Sequence, residues 1–209
     1  MSLPALVLCI ACSHHQPSLG TERPDPARTV SGRGKLMKLP PRPEYRDRIE
    51  EGVADSDLDA LWLRRLMVPV HGFSRDGLRD SYSALRDKVR SHRAIDLLTG
   101  VGTPVLAADD EIIGRLATTP LGGIIIYGSD LTAQFVYYYA HLLGYRSGLA
   151  VGDTVARGDV IGYVGTTGNA SPDEPHLHFQ VMKRGAGRAW WDGPPINPYT
   201  FFAFDGRKK

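Results

Sequence analysis

The body of this 209-residue chain has no cysteine, because Cys9 and Cys12 are the only two and both fall in the first dozen residues. Beyond them there is no thiol to serve as nucleophile, metal ligand or disulfide partner, so any metal site must be built from histidine and carboxylates. Also missing is a His-Glu-x-x-His sequence, which would provide the glutamate base of the usual helical zinc proteases. No apolar run is long enough to cross a bilayer. The nearest approach, Leu3 to Cys12, has the length of the apolar centre of an export signal. Charge of one sign is lacking too: 25 Lys and Arg stand against 23 Asp and Glu, and the net +2 gives no electrostatic case for nucleic acid as the main partner.

Turn-forming residues are plentiful. The 23 Gly and 15 Pro argue for many turns between short elements, hence a β-rich domain and not a helical bundle. The chain divides into four stretches. Residues 1–12 are the signal-like segment, and Cys9-Ile10-Ala11-Cys12 is similar to a lipoprotein cleavage box in which Cys12 would carry the lipid. Residues 13–48, with Pro17, Pro24, Pro26, Pro40, Pro41 and Pro43 among Arg, Ser and Gly, read as a flexible linker. Its pair His14-His15 lacks further ligands and is expected to be solvated, as is the Arg207-Lys208-Lys209 tail. Residues 49–67 are a helical lead-in: Ser56 and Asp59 resemble a capping box, Leu58, Leu61, Trp62 and Leu66 recur at helical spacing, and Pro69 forbids continuation. A helix over 56–67 is predicted.

Residues 68–209 form the main domain. Short β-like runs at 104–107, 111–116, 123–127, 135–139, 160–164 and 177–182 are separated by Gly. Thr103-Pro104-Val105 leading to Ile112-Ile113-Gly114 is echoed by Asp153-Thr154-Val155 leading to Val160-Ile161-Gly162, which fits a sheet of two similar folded-over hairpins. Trp190 and Trp191, followed by Gly193-Pro194-Pro195, read as a closing loop.

Four of the seven histidines fall in three local patterns: His92-Arg-Ala-Ile-Asp96, Tyr139-Ala-His141 and His176-Leu-His178. Side chains two apart on a strand share a face, so His176 and His178 converge while Leu177 points into the core. His92 and Asp96, four apart, share a face in either regular conformation, and Tyr139 and His141 are expected to meet the same cleft. A catalytic zinc takes three nitrogen or oxygen ligands and keeps one position open. Two neutral histidines and one aspartate would supply that set, leaving further histidines to move protons. Asp173 and Glu174, on a loop interrupted by Pro175, are expected to be solvated.

In order, His92-x-x-x-Asp96, Tyr-Ala-His141-Leu, and Gly165-Thr-Thr-Gly168 followed by His176-Leu-His178-Phe resemble the M23 metallopeptidases of the lysostaphin and LytM type. The likeness runs from about Val68 to Tyr199. It implies a mainly β fold, a distorted antiparallel sheet or sandwich with a duplicated motif. It implies Zn2+ held by His92, Asp96 and His178, with His141 and His176 as the catalytic pair. The implied partner is the peptide stem of peptidoglycan. The absence of a recognisable wall-binding repeat and the lipid-box cysteine Cys12 point to the cell envelope, and within it the periplasm, as the expected place, with a lipid anchor at Cys12 as a further expectation. Arg86 stands where relatives often carry Arg, either holding substrate or pairing with an acid. A non-catalytic relative that binds wall and activates another hydrolase is the alternative, and it is disfavoured because all five site positions are filled. A phosphoryl-carrier domain would need neither His92 nor Asp96.

Overall fold

The computed structural model describes residues 50–86 and 90–203. The signal-like segment, the linker, Cys12, the His14-His15 pair and the basic tail all lie outside the described residues. No described helix is long and apolar enough to cross a membrane.

The first element is helix α1 (Asp55–Arg64), which buries Leu58, Leu61 and Trp62. Its start lies two residues earlier in the capping chemistry than Ser56 and Asp59 suggested: Ala54 is the N-cap, and the Asp57 carboxylate accepts from its N–H at 2.8 Å. Its end is earlier than Met67 because Arg65 adopts a left-handed conformation, φ 57°. The reason lies in the following residues. Met67 N–H donates to the Ala108 carbonyl, Leu106 N–H to that of Pro69 and His71 N–H to that of Pro104, so this stretch is drawn out along the sheet and cannot stay helical. Arg64 anchors the helix through Asp109 (3.1 Å) and Asp130 (2.6 Å).

A single turn of 3-10 helix at Arg75–Gly77 precedes the strands. β1 (Leu85–Arg86) and β2 (Arg90–Ser91) form a small antiparallel ribbon. The remaining strands are β3 (Ile95–Leu98), β4 (Pro104–Leu106), β5 (Glu111–Thr119), β6 (Gly123–Asp130), β7 (Phe135–Tyr145), β8 (Thr154–Val155), β9 (Val160–Val164), β10 (His176–Lys183) and β11 (Pro195–Ile196), followed by the short helix α2 (Tyr199–Ala203). They make one nine-stranded antiparallel sheet whose main path is β11-β10-β7-β6-β5-β8. Each of the six expected runs is a strand, several of them longer than their apolar stretch.

The echo between the two Thr/Asp-Pro/Thr-Val segments is present, but its strands do not fold back on themselves as two hairpins. β4 pairs with β9, Val105 opposite Gly162, and β5 pairs with β8, Ile112 opposite Thr154. The leading strand of each copy therefore joins the trailing strand of the other. The core lies on one face, where Tyr137, Tyr139, Leu177 and Phe179 are fully buried. Burying about 1.5–3 kcal/mol of apolar side chain at each such position holds the strands beneath the cleft.

Candidate metal and catalytic site

β10 carries the two histidines on its cleft-facing side, with Leu177 between them buried in the core, as alternation requires. His178 lies opposite Asp96 of β3 on one edge and opposite Ala140 of β7 on the other. His92 reaches the same point by a kink. Arg93 has φ 55°, so His92 and Asp96 do not lie on one regular strand or helix; the turn between them brings both side chains together.

Three donor atoms converge. His92 Nε2 lies 3.0 Å from Asp96 Oδ1 and 3.0 Å from His178 Nδ1, and His178 Nδ1 lies 3.1 Å from Asp96 Oδ1. At this spacing one ion about 2.0–2.2 Å from each nitrogen and oxygen touches all three. The set could hold a metal, and its chemistry suits zinc, which accepts imidazole nitrogen and carboxylate oxygen alike. Protonation states follow from the neighbours. The His92 Nδ1 faces the Ser81 carbonyl at 2.9 Å, and a carbonyl can only accept, so Nδ1 carries the hydrogen. The Arg86 guanidinium, which can only donate, stands 2.9 Å from His92 Nε2 and bonds Asp96. Nε2 therefore presents its lone pair to the centre.

Electrostatics point the same way. Burial opposes ionisation of Asp96, yet the contacts with His178 and His92 outweigh it and hold the carboxyl far below its ordinary range. Burial also pushes His178 down, against the pull of Asp96. Both groups are thus in the forms that bind a cation.

His141 and His176 face this triad, their rings 4.9 Å apart, and His141 lies 5.7 Å from the His178 ring. Each is oriented by a backbone carbonyl: His141 Nδ1–H donates to Thr167 at 2.8 Å and His176 Nδ1–H to Glu174 at 2.8 Å. Both Nε2 atoms are left to the cleft, and His176 Nε2 stands 3.7 Å from Asp96. Burial lowers His141 to about 4, with the Thr167 carbonyl opposing, so its ring is neutral at pH 7. Glu174 contributes through its main chain, while its side chain lines the cleft of about 470 Å3 beside Asn169 and Ser171.

One expectation is corrected. Tyr139 does not share the cleft with His141. It is fully buried on the core face, its hydroxyl bonded to Glu111 and receiving from Ala108 N–H at 2.9 Å. The cause is a bulge: residues 139–142 of β7 oppose only 124–126 of β6, and His141 takes φ 61°. The extra residue turns His141 out of the core face to which alternation would assign it. Tyr138 is the tyrosine that lines the cleft, its ring 5.9 Å from His178.

The Gly165-Thr166-Thr167-Gly168 turn maintains that bulge. Thr167 Oγ1 donates to the Leu142 carbonyl at 2.7 Å and accepts from Ile124 N–H at 2.9 Å, while its carbonyl holds His141. A Cβ at Gly165 would stand 2.7 Å from backbone atoms of Leu142 and Leu143, closer than side chains tolerate. Sequence spacing places the turn near the histidines but does not assign it this role; the signal is the hydroxyl residue between two glycines.

The model of peptidase family M23 matches residues 90–198. Among curated relatives, the L-Ala–D-Glu endopeptidase of Bacillus subtilis is 32% identical over 111 residues, 51% of this chain and 33% of that protein. The glycyl-glycine endopeptidase ALE-1 of Staphylococcus capitis is 37% identical over 95 residues, 44% of this chain and 25% of its own length. The chain thus spans only about a third or less of these relatives. Among solved structures, lysostaphin from Staphylococcus simulans superposes with a TM-score of 0.50 at 26% identity, covering 68% of this chain and 50% of that one. Fold, motif order and matched span agree, and the chain belongs to peptidase family M23.

Proposed function

We propose that the chain is a zinc-dependent endopeptidase that hydrolyses peptide cross-links of bacterial peptidoglycan, with His92, Asp96 and His178 holding the metal and His141 and His176 moving protons. The observation that carries this reading is the triangle of donor atoms 3.0–3.1 Å on a side with two neutral-capable imidazoles facing it. Bound there, zinc would lower the pKa of a water and polarise a scissile carbonyl.

The chain's own residues do the rest. His176, its Nδ1–H committed to Glu174, has Nε2 free to take a proton from the attacking water and to return it to the departing amine. His141 is neutral and rigidly aimed by Thr167, and it is placed to hydrogen-bond the water or the carbonyl oxygen as charge develops. Arg86 closes one wall against Asp96. The substrate class follows the relatives, two of which are endopeptidases by name, and with it the cell envelope as the place of action. Export by residues 1–12 and lipidation at Cys12 belong to the same proposal.

The test is digestion of purified sacculi by metal-replete protein, with released fragments identified by mass spectrometry and zinc measured in parallel. Asp96→Ala is expected to lose zinc and activity together. His141→Ala should keep zinc and lose about 10²- to 10³-fold in rate. Replete protein that contains no zinc, or that leaves sacculi intact, defeats the reading.

A further inference from the structure

Beside the cleft the sheet carries a second set of groups that the hydrolytic step does not use. Register places Gln180 of β10 opposite Tyr138 of β7, Tyr138 opposite Tyr127 of β6, and Tyr127 opposite Arg115 of β5. Cross-strand partners share a face, so these four side chains form one row across four strands, on the face that carries His176 and His178. Tyr127 and Tyr138 stack at 4.6 Å. Arg115 closes the row with its guanidinium 4.5 Å from the Trp191 ring and 5.8 Å from that of Tyr127.

Arg115 is on this face because of a bulge. Pairing of β5 with β6 slips between Ile113 and Arg115, leaving Gly114 as the extra residue. Without the slip Arg115 would oppose Ile126, in the core. The slip needs glycine at 114, since the Trp190 indole lies where a Cβ would stand. Trp190 also receives the Arg184 guanidinium at 4.8 Å. The loop holding both tryptophans thus closes over the bulge, as expected of a closing loop, and it holds Arg115 in place.

Among the described residues no carboxylate or carbonyl accepts a hydrogen bond from the Arg115 guanidinium; its contacts are the two rings. A guanidinium stacked on aromatic faces keeps its five donors free in a fixed plane, the geometry for a carboxylate. We propose that Arg115 is a specificity-determining residue that binds a carboxylate of the substrate peptide, and that Tyr138 and Tyr127 form the floor over which that peptide passes. This rests on the peptidase reading above. β10 and β5 are three strand spacings apart, about 14 Å at ~4.8 Å each. An extended peptide covers that distance in about four residues at ~3.4 Å, so the carboxylate recognised lies about four residues from the bond cut.

The test uses the zinc-loaded full chain and two probes, cross-linked peptide dimers released from peptidoglycan with their carboxylates free or converted to amides. For the unaltered protein, amidation is expected to raise KM about 10- to 100-fold with little change in kcat, the value of a charge-assisted hydrogen bond. Arg115→Gln should show that raised KM on both probes, so that amidation no longer matters. Trp191→Leu, which removes the stacking partner and leaves the charge, should give a smaller rise on the free acid alone. Equal loss on amidation in the unaltered protein and in Arg115→Gln, or an Arg115→Gln protein with unaltered KM on the free acid, overturns the assignment of Arg115. Failure of the unaltered protein to cut either probe defeats the peptidase reading instead.

Discussion

Glu111 offers a sharp test of the packing beneath the site. It is fully buried at the start of β5, and burial pushes its carboxyl up to about 8, against the pull of hydrogen bonds from Tyr139 and the Asp109 and Ala108 N–H groups. One of its oxygens, Oε2, has no hydrogen-bond partner. The folded protein therefore keeps the proton at pH values where the unfolded chain, with an ordinary value of 4.5, has released it. Because the folded state binds more protons in that interval, stability is greatest below about pH 4.5 as far as this group is concerned, and it falls as pH rises toward 8. His141 and His178 are shifted downward and titrate in the opposite sense, raising stability with pH up to their unfolded range near 6.5. The clean interval is thus from about pH 6.5 to pH 9, over which one proton at ~1.4 kcal/mol per unit, fading above 8, amounts to about 2 kcal/mol. For a domain of this size that is a fall of roughly 4–8 °C in Tm. Thermal melts of chelator-treated protein against pH, beside Glu111→Gln, read it directly. The variant, whose neutral amide has the shape of the protonated acid, should lose that share of the slope, lying close to the unaltered protein at pH 5 and above it by pH 9. Parallel curves across the interval would refute a protonated Glu111.

Other expectations follow from single contacts. Thr167→Val leaves the Leu142 carbonyl and the Ile124 N–H unpaired and should cost about 2–4 kcal/mol, with a larger loss of activity than of zinc because the bulge aims His141; differential scanning calorimetry and metal analysis separate the two. Leu177→Ala removes the fully buried residue between the paired histidines and should lower stability about 2–5 kcal/mol, measurable by urea titration. Chelation should abolish sacculus digestion and added zinc should restore it, with a rise in Tm on zinc addition that follows mass action. Cys12→Ser should release the protein from membranes in a fractionation assay; native protein found wholly in the cytoplasm would sink both export and anchoring.

How much of this is legible without coordinates depends on how far each feature reaches along the chain. His176-Leu177-His178 is read correctly because alternation is a local property of an extended backbone, and the six apolar runs are strands for the same reason. Tyr139 is misassigned because the bulge at His141 exists only in relation to β6, and the turn that maintains it lies some 25 residues further on. The end of α1 is set by Ala108 and Pro104, which compete for the backbone of residues 67–71. Arg115 has no motif at all. Its place depends on a slip in register and on a tryptophan seventy-odd residues away.

The exchanged partners of the echoed segments have the form of a two-fold dimer whose subunits were joined end to end. Each copy presents an open strand edge that the other closes, so the molecule satisfies from within a feature that otherwise invites pairing with other chains. It also makes the two halves interdependent in time. β4 waits for β9, more than fifty residues later, and such non-local pairing forms late in folding. β7, which carries His141, is hydrogen-bonded to β9 of the second copy as well as to β6. The cleft is therefore assembled only when both copies are in place, and a chain still partly folded is latent.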